Sequence, residues 1–358
     1  MSTRILAIET SCDETALALV EADGGQKRPR FKILAETVSS QIPVHRPFGG
    51  VVPMLAKREH LKNLPVVLEK LKKSLTPEPH ALNPDLIAVT VGPGLEPALW
   101  TGVNFAKELA KKLKKRLVGV NHLEGHIYSN WLEPVRKFPI SNFQFPKFPA
   151  VVLIVSGGHT ILLLMKSMTK WKKLGETRDD AAGEAFDKTA KMLGLPYPGG
   201  PELEKLALNL SKEEILIPFP RPMIHQKNYD VSFAGLKTAV LYYLRDLMTG
   251  QRRPAGLALS QKLKVAVAAS FQQAAIDVLV AKTSRAAQEF RAKSILLCGG
   301  VACNKALQKE LKSASRRIKA EFFAPRKKFN TDNAAMIAAA AYLNPKKYRI
   351  EARPNLNL

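Results

Sequence analysis

The feature that most constrains this chain is a pattern written twice. Residues Ile5 to Val20 read as strand, polar turn and strand, the turn being Thr10-Ser-Cys-Asp-Glu-Thr15. Val151 to Met165 read the same way around Ser156-Gly-Gly-His-Thr160. Alternating β-formers about a short, polar, partly Gly-rich connection are a hairpin signal. Each hairpin is followed much later by a second element. Asp85 to Thr90 runs into Gly92-Pro-Gly94 and an amphipathic helix from about Ala98 to Leu113. Ser294 to Cys298 runs into Gly299-Gly300 and a helix from about Cys303 to Ser313. Strand, glycine turn and helix, twice over, point to two α/β lobes of related topology. The residues barely repeat, so the likeness is architectural.

At 358 residues the chain has room for two cores. The join is expected in Pro134 to Pro149, rich in Pro and Phe and without helical periodicity. A long helix over roughly Lys262 to Gln288 follows from apolar residues at three-and-four spacing, and an alanine-rich helix over Thr331 to Leu343 opens on good N-cap chemistry. No uninterrupted apolar run reaches the length of a membrane span, and the first residues enter a strand without the basic and apolar regions of a signal peptide. Three cysteines, Cys12, Cys298 and Cys303, lack metal-ligand spacing and suit a reducing compartment.

Charge narrows the partners. Lys and Arg total 55 against 31 acids, a formal net charge of +24. Basic runs recur along the chain, among them Lys111-Lys-Leu-Lys-Lys-Arg116 and Arg326-Lys-Lys328. Singly, such runs are solvated faces or favourable helix C-termini. Together they exceed what solubility needs and favour a nucleic-acid partner.

The chemistry concentrates in a few places. His122-Leu-Glu-Gly-His126 puts two imidazoles one helical turn apart on one face, close enough to share a metal ion. In the zinc-protease motif H-E-x-x-H the glutamate directly follows the first histidine. Here Glu124 lies two places on, roughly 160° or more around the helix from the ligand face. A metal that acts on a substrate wants a third protein ligand and an open position, and Asp332 at a helix start is the best candidate. The bland reading is a pair of histidines packed at a domain interface. Ser156-Gly157-Gly158 offers backbone N–H groups and a hydroxyl to a phosphate, although many Gly-Gly turns are plain hairpins. On a helix, Asp180, Glu184, Asp187 and Lys188 would share one side, as ribose or magnesium ligands or as an exposed face with an internal salt bridge. Pro198-Gly-Gly-Pro201 reads as a tight open turn, and Gly299-Gly-Val-Ala-Cys-Asn304 precedes a helix N-terminus that favours an anion. Neither a Walker A pattern nor a G-x-G-x-x-G after a strand occurs, which sets aside the P-loop and Rossmann readings.

Taken together, these stretches resemble one family, the tRNA threonylcarbamoyladenosine synthases of the TsaD type, once labelled glycoproteases. The matching segments include Ile8-Glu-Thr-Ser-Cys-Asp-Glu-Thr15, Gly92-Pro-Gly-Leu95, His122 to His126, Val155 to Thr160, Asp179 to Thr189, Tyr197 to Pro201, Ser232-Phe-Ala-Gly-Leu-Lys237, Gly299 to Asn304 and Thr331-Asp-Asn333, in order along almost the whole chain. The resemblance implies a two-lobed α/β fold of the actin/Hsp70/sugar-kinase (ASKHA) type, with a nucleotide and metal site in the interlobe cleft. It divides the chain into an N-terminal lobe (1–133 plus 329–358), a linker (134–149) and a C-terminal lobe (150–328). The implied reaction is transfer of threonylcarbamoyl from threonylcarbamoyl-AMP to N6 of the adenosine 3′ to the anticodon (position 37), in tRNAs reading ANN codons.

Carried over residue by residue, the metal ligands would be His122, His126 and Asp332, holding Fe2+ or Zn2+. The adenylate, or ATP or ADP in the same cleft, would lie along Ile154, Val155, Ser156, Gly157, Gly158, Asp187, Gly200, Glu204 and Asn304. Implied partners are tRNA with either a paralogous subunit (TsaB type) and an ATPase subunit (TsaE type) or a second copy of the chain, in the cytoplasm and away from membranes. The chain departs from the family at Met54, where glutamate is usual, and at Pro97, where glycine is common. It also lacks the tyrosine ligand that archaeal and eukaryotic relatives carry near Ile154, which favours the bacterial or organellar branch. No side chain is assigned as general base. Against the transferase stand two alternatives, a metal-dependent peptidase and a non-catalytic nucleotide-binding scaffold.

Overall fold

The computed structural model describes residues 2–75, 82–132, 145–211, 216–249, 260–344, 346 and 348–358. Most of the expected linker, residues 134–144, lies outside them. The chain divides into two compact units. The first holds Met1–Pro146, Lys166–Lys170 and Ala324–Leu358; the second holds Lys147–Met165 and Trp171–Phe323.

The first unit opens with β1 (Thr3–Glu9), β2 (Glu14–Asp23) and β3 (Arg30–Ser40). Short α1 (Ile42–His45) leads into α2 (Pro53–Ser74), then β4 (Leu86–Gly92), α3 (Glu96–Leu113), β5 (Arg116–Asn121) and α4 (His122–Tyr128). The sheet order is β3-β2-β1-β4-β5, antiparallel across the first three strands and parallel from β1 to β4 to β5. Central β1 carries Ile5, Leu6, Ala7 and Ile8 wholly buried, as a strand covered on both faces must. Leu6 and Ile8 join Leu17 and Leu19 of β2, Leu64 and Leu71 of α2 and Val103 and Ala106 of α3 in one core cluster.

The second unit contains β6 (Ala150–Val155), β7 (Thr160–Ser167), β8 (Lys170–Glu176), α5 (Ala182–Met192), α6 (Gly199–Ala207), α7 (Ala234–Thr249), α8 (Gln261–Glu289), β9 (Ser294–Cys298), α9 (Lys305–Arg317) and β10 (Glu321–Phe323). Its sheet order is β10-β9-β6-β7-β8, with β6 antiparallel to β7 and parallel to β9. Element for element this is the order of the first sheet, so the doubled pattern in the sequence is a doubled topology. Helix α8 is long and apolar enough to pass a composition test for a membrane span, but its most apolar stretch is 67% buried against its own unit. It is a core helix.

The chain then returns to the first unit through α10 (Lys327–Asn330) and α11 (Ala334–Leu343). Helix α11 starts three residues later than the alanine pattern predicts, because Asn333 is its N-cap and accepts the Met336 N–H at 2.9 Å. Small residues around its whole circumference let it pack against β1, β2, β4, β5 and α4 together. Gly125 of α4 makes that approach possible: a Cβ there would stand 2.9 Å from Ile337 Cδ1 and 3.1 Å from Met336 Cγ.

In each unit, residues of the candidate sites sit at the carboxyl ends of parallel strands. Glu9 closes β1 and Asn121 closes β5; Ser156 follows β6 and Gly299 follows β9. Open α/β sheets bind ligands at that edge, where the pleated core gives way to loops and helix starts.

Candidate metal centre and nucleotide-binding turns

The metal cluster lies wholly in the first unit. Asn121 caps α4 by accepting the Leu123 N–H at 2.8 Å, so His122 occupies the first helical position. His126 follows one turn on, and the ring centroids are 4.6 Å apart. The packing of α11 on α4 brings Asp332, just before α11, to 3.5 Å from His122 Nε2 and 3.3 Å from His126 Nε2. One donor atom from each of the three lies within 4.8 Å of the others, and no further cluster of this kind occurs among the described residues.

His126 tests whether this set fits a metal. Both its ring nitrogens are buried: Nδ1 has no hydrogen-bond partner, and Nε2 meets only the Asp332 carboxylate, at 3.3 Å. A buried polar atom left unmade costs roughly 1–3 kcal/mol. Burial also holds the His126 pKa below its usual value, so the ring is neutral and its lone pair available. Two imidazoles and one carboxylate are the donor set of three-ligand zinc and iron(II) sites. The residues fit.

Glu9 supports the cluster from behind, a role the sequence reading did not assign. It is wholly buried at the end of an apolar strand. Its Oε2 accepts from Thr90 Oγ1 at 2.7 Å and from His122 Nδ1 at 3.0 Å, while Oε1 accepts the Ser11 N–H at 2.5 Å. A carboxylate on Nδ1 keeps the proton there and leaves Nε2 to face the metal position. Burial alone would lower the His122 pKa; the Asp332 and Glu9 carboxylates overcome that and raise it to about 9 without a metal. The signal was available in Ile5-Leu-Ala-Ile-Glu9: a charge terminating a fully apolar central strand needs a partner.

Glu124, by contrast, is committed elsewhere. Its Oε1 accepts from Tyr348 Oη at 2.5 Å, in the interior and on the far side of α4 from the histidine pair. It is not placed as a metal-site base, and the peptidase reading loses its only catalytic group. Gly125 is the contact point for α11.

The second unit gathers the turns read as nucleotide-binding. Ile154 and Val155 are buried strand residues, paired to Ile161 and Thr160 of β7, and reach the tip only through their backbone. Gly157 and Gly158 face open space, with no heavy atom within 4 Å of where a Cβ would be. The start of α5 packs beneath them: a Cβ on Gly183 would lie 2.6 Å from the Ser156 carbonyl oxygen. Gly299 has φ +94°, and a Cβ there would meet the Val155 carbonyl oxygen at 2.4 Å. Only glycine lets β9 turn this close to β6.

Two expectations need correction in local detail. Helix α5 begins at Ala182, so Asp180 precedes it rather than lying on its face. Lys188 and Lys237 hold Asp180 at 2.8 and 2.6 Å, and Lys188 also pairs with Glu184 at 2.8 Å, making these acids a structural salt-bridge network. Asp179 caps α7, accepting the Phe233 and Ala234 N–H groups at 2.8 and 3.1 Å. Pro198-Gly-Gly-Pro201 is not an open turn; Gly199 and Gly200 start α6, and Asp187 Oδ1 accepts their N–H groups at 2.7 and 3.1 Å. Asn304 N-caps α9 through Leu307 N at 2.9 Å and donates to Gln272 at 2.8 Å, while Glu204 Oε1 accepts the Lys305 N–H at 2.7 Å. Glu204 and Asn304 therefore meet at one helix start.

The family model described as "TsaD: tRNA N6-adenosine threonylcarbamoyltransferase" matches residues 32–339. The chain belongs to this family. A relative of that name from Moorella thermoacetica is 50% identical over 341 residues, covering 95% of this chain and 91% of its own. Another from Thermosipho melanesiensis is 46% identical and covers 99% of both chains. Among solved structures, full-length HypF in a phosphate- and nucleotide-bound form is similar with TM-score 0.56 at 13% identity, over 95% of this chain and 46% of that longer one. At that identity it speaks for the fold alone, which is the two-unit ASKHA type. Within the threonylcarbamoyltransferase frame the departure at Pro97 has a local reason: it stands in the first turn of α3, where its missing N–H costs nothing. Met54 opens α2 with 59% of its surface exposed.

Proposed function

We propose that this chain transfers the threonylcarbamoyl group of threonylcarbamoyl-AMP to N6 of the adenosine at position 37 in tRNAs that read ANN codons. Membership of a family named for that transfer supports the reaction class. The observation that carries the site assignment is the convergence of two buried histidines, His122 and His126, on the half-buried Asp332, with His126 Nδ1 left without a hydrogen-bond partner. In the reaction the N6–carbonyl carbon bond forms, the bond from that carbon to the phosphate oxygen breaks, AMP departs, and one N6 proton is lost.

His122, His126 and Asp332 would hold Fe2+ or Zn2+, which would supply Lewis-acid polarisation. Glu9 keeps the His122 proton on Nδ1. The open tip Ser156-Gly157-Gly158 and the turn at Gly299, with Asp187, Gly200, Glu204 and Asn304 behind them, are proposed to orient the adenylate, backed by the start of α9. ATP or ADP would use the same turns. Holding both reactants in line supplies much of the acceleration. The surplus of basic residues suits capture of tRNA in the cytoplasm. A paralogous subunit and an ATPase, or a second copy of this chain, would complete the system.

The test is purified protein with unmodified tRNA and threonylcarbamoyl-AMP, with and without those partners, reading modified nucleoside by mass spectrometry. His126→Ala should abolish product while leaving circular dichroism unchanged. Undiminished product from that variant would sink the site assignment. Product formed by partners in the absence of this chain would reduce it to a scaffold.

A further inference from the structure

A cavity of about 600 Å³ opens in the second unit, away from the Ser156, Pro198 and Gly299 turns. Lys147 before β6, Arg291 after α8, Lys293 before β9, and Arg317 and Lys319 at the end of α9 line it, with Glu321 as the acid opposite them. Strands β6 and β9 run parallel from this end toward Ser156 and Gly299, with Ala150 paired to Ser294 and Ile154 to Cys298. Five residues of strand, roughly 17 Å, therefore separate the cavity from the nucleotide turns.

Lys147 pairs with Glu321 at 2.6 Å. Among the described residues, Arg291, Lys293, Arg317 and Lys319 make no ion pair. Cations after helix C-termini are favourable in themselves, which explains a charge at Arg291, Arg317 or Lys319 taken singly. Helices α8 and α9 both end with a left-handed cation, Arg291 at φ 48° and Lys319 at φ 58°, where glycine is the usual choice. Helix α3 ends the same way at Lys114, so that habit alone carries nothing. What the helix ends do not explain is Lys293, which starts a strand, nor the turning of four unpaired cations onto one concavity. A concave surface with four unpaired cations, its one acid already paired to Lys147, concentrates its field and its counterions. The lining contains no aromatic ring to stack a base, and the long exposed side chains suit an extended chain of phosphates contacted without sequence preference.

We infer that this basic cavity seats a stretch of the tRNA phosphate backbone, at the end of the second sheet opposite its nucleotide turns. The inference rests on tRNA being the substrate. It is tested with Lys293→Gln/Arg317→Gln, two exposed positions, beside the charge-retaining Lys293→Arg/Arg317→Lys. Binding of unmodified tRNA is measured across a salt series, and steady-state kinetics are run with saturating threonylcarbamoyl-AMP.

The neutral variant should bind tRNA roughly tenfold more weakly near 0.1 M salt, and its slope of log Kd against log salt should flatten by about 1.5, two phosphate contacts' worth. KM for tRNA should rise with kcat unchanged, and the charge-retaining variant should behave as the parent. A neutral variant with parental affinity and slope overturns the inference while parental modification stands. Loss of paralogue binding with unchanged tRNA binding likewise overturns it and gives the cavity to a protein partner. If the parent neither binds nor modifies tRNA, the functional reading itself fails.

Discussion

Replacing Glu9 by Gln isolates the contribution of the residue behind the metal cluster. The carboxylate accepts three hydrogen bonds with two oxygens, from Ser11 N, Thr90 Oγ1 and His122 Nδ1, in a fully buried position. A glutamine of the same shape has one accepting oxygen and one donating nitrogen. If its oxygen takes the place of Oε2, its NH2 faces the Ser11 N–H and a buried donor goes unmade, costing about 1–3 kcal/mol of stability. If its NH2 takes that place, it drives the His122 proton from Nδ1 to Nε2, and Nε2 ceases to be a metal donor. Either arrangement perturbs the site, and the loss of such a supporting carboxylate typically weakens metal binding about 10–100-fold. That is about 1.4–2.7 kcal/mol at 1.36 kcal/mol per factor of ten. The assay is calorimetric titration of Zn2+ into chelator-treated protein, parent against Glu9→Gln, with Thr90→Val as a partner-loss control. Binding within twofold of the parent would refute the reasoning.

The remaining expectations concern pH and one glycine. In the metal-free protein the His122 pKa stands above its unfolded value, raised by Asp332 and Glu9 against the pull of burial. Its contribution to stability is therefore complete below about pH 6.5 and lost as pH rises toward 9. Metal binding needs the neutral ring, so apparent Zn2+ affinity should climb about tenfold per pH unit from 7 toward 9, with about one proton released per ion. His126, already neutral, adds no proton; pH-independent affinity across that window would contradict the assignment. Gly299→Ala places a Cβ 2.4 Å from the Val155 carbonyl oxygen at φ +94°, so it should destabilise the second unit by about 3 kcal/mol or more while Zn2+ affinity holds. Hydrogen exchange resolved along the chain would show faster exchange in β6 and β9, and unchanged protection there would count against it.

Much of the fold was legible in the sequence because its signals are local. Period-two apolar runs, glycine turns and three-and-four spacing depend only on neighbours along the chain, and they yielded both hairpins, both strand–turn–helix elements and the long core helix α8. The histidine pair was equally legible, since one helical turn fixes its geometry. Motif-level residues were harder to place in their roles. Asp187, Asn304 and Glu204, read from sequence as lining the adenylate, are each also engaged at a helix start, because the unpaired N–H groups of a first turn claim the nearest acceptor.

What the sequence by itself determined is the pair of related α/β units, the shared face of His122 and His126, and a surface charged for polyanions. Only the tertiary structure decided that Asp332 closes the metal cluster, that Glu9 orients His122, and that Glu124, off the ligand face by its spacing, is committed to Tyr348. The physical reason is the packing of α11 against α4: alanines on one helix and Gly125 on the other admit an approach that no local pattern encodes. That approach carries Asp332 to the two histidines. The turning of α4 that places their rings toward Asp332 leaves Glu124 to Tyr348 on the opposite side.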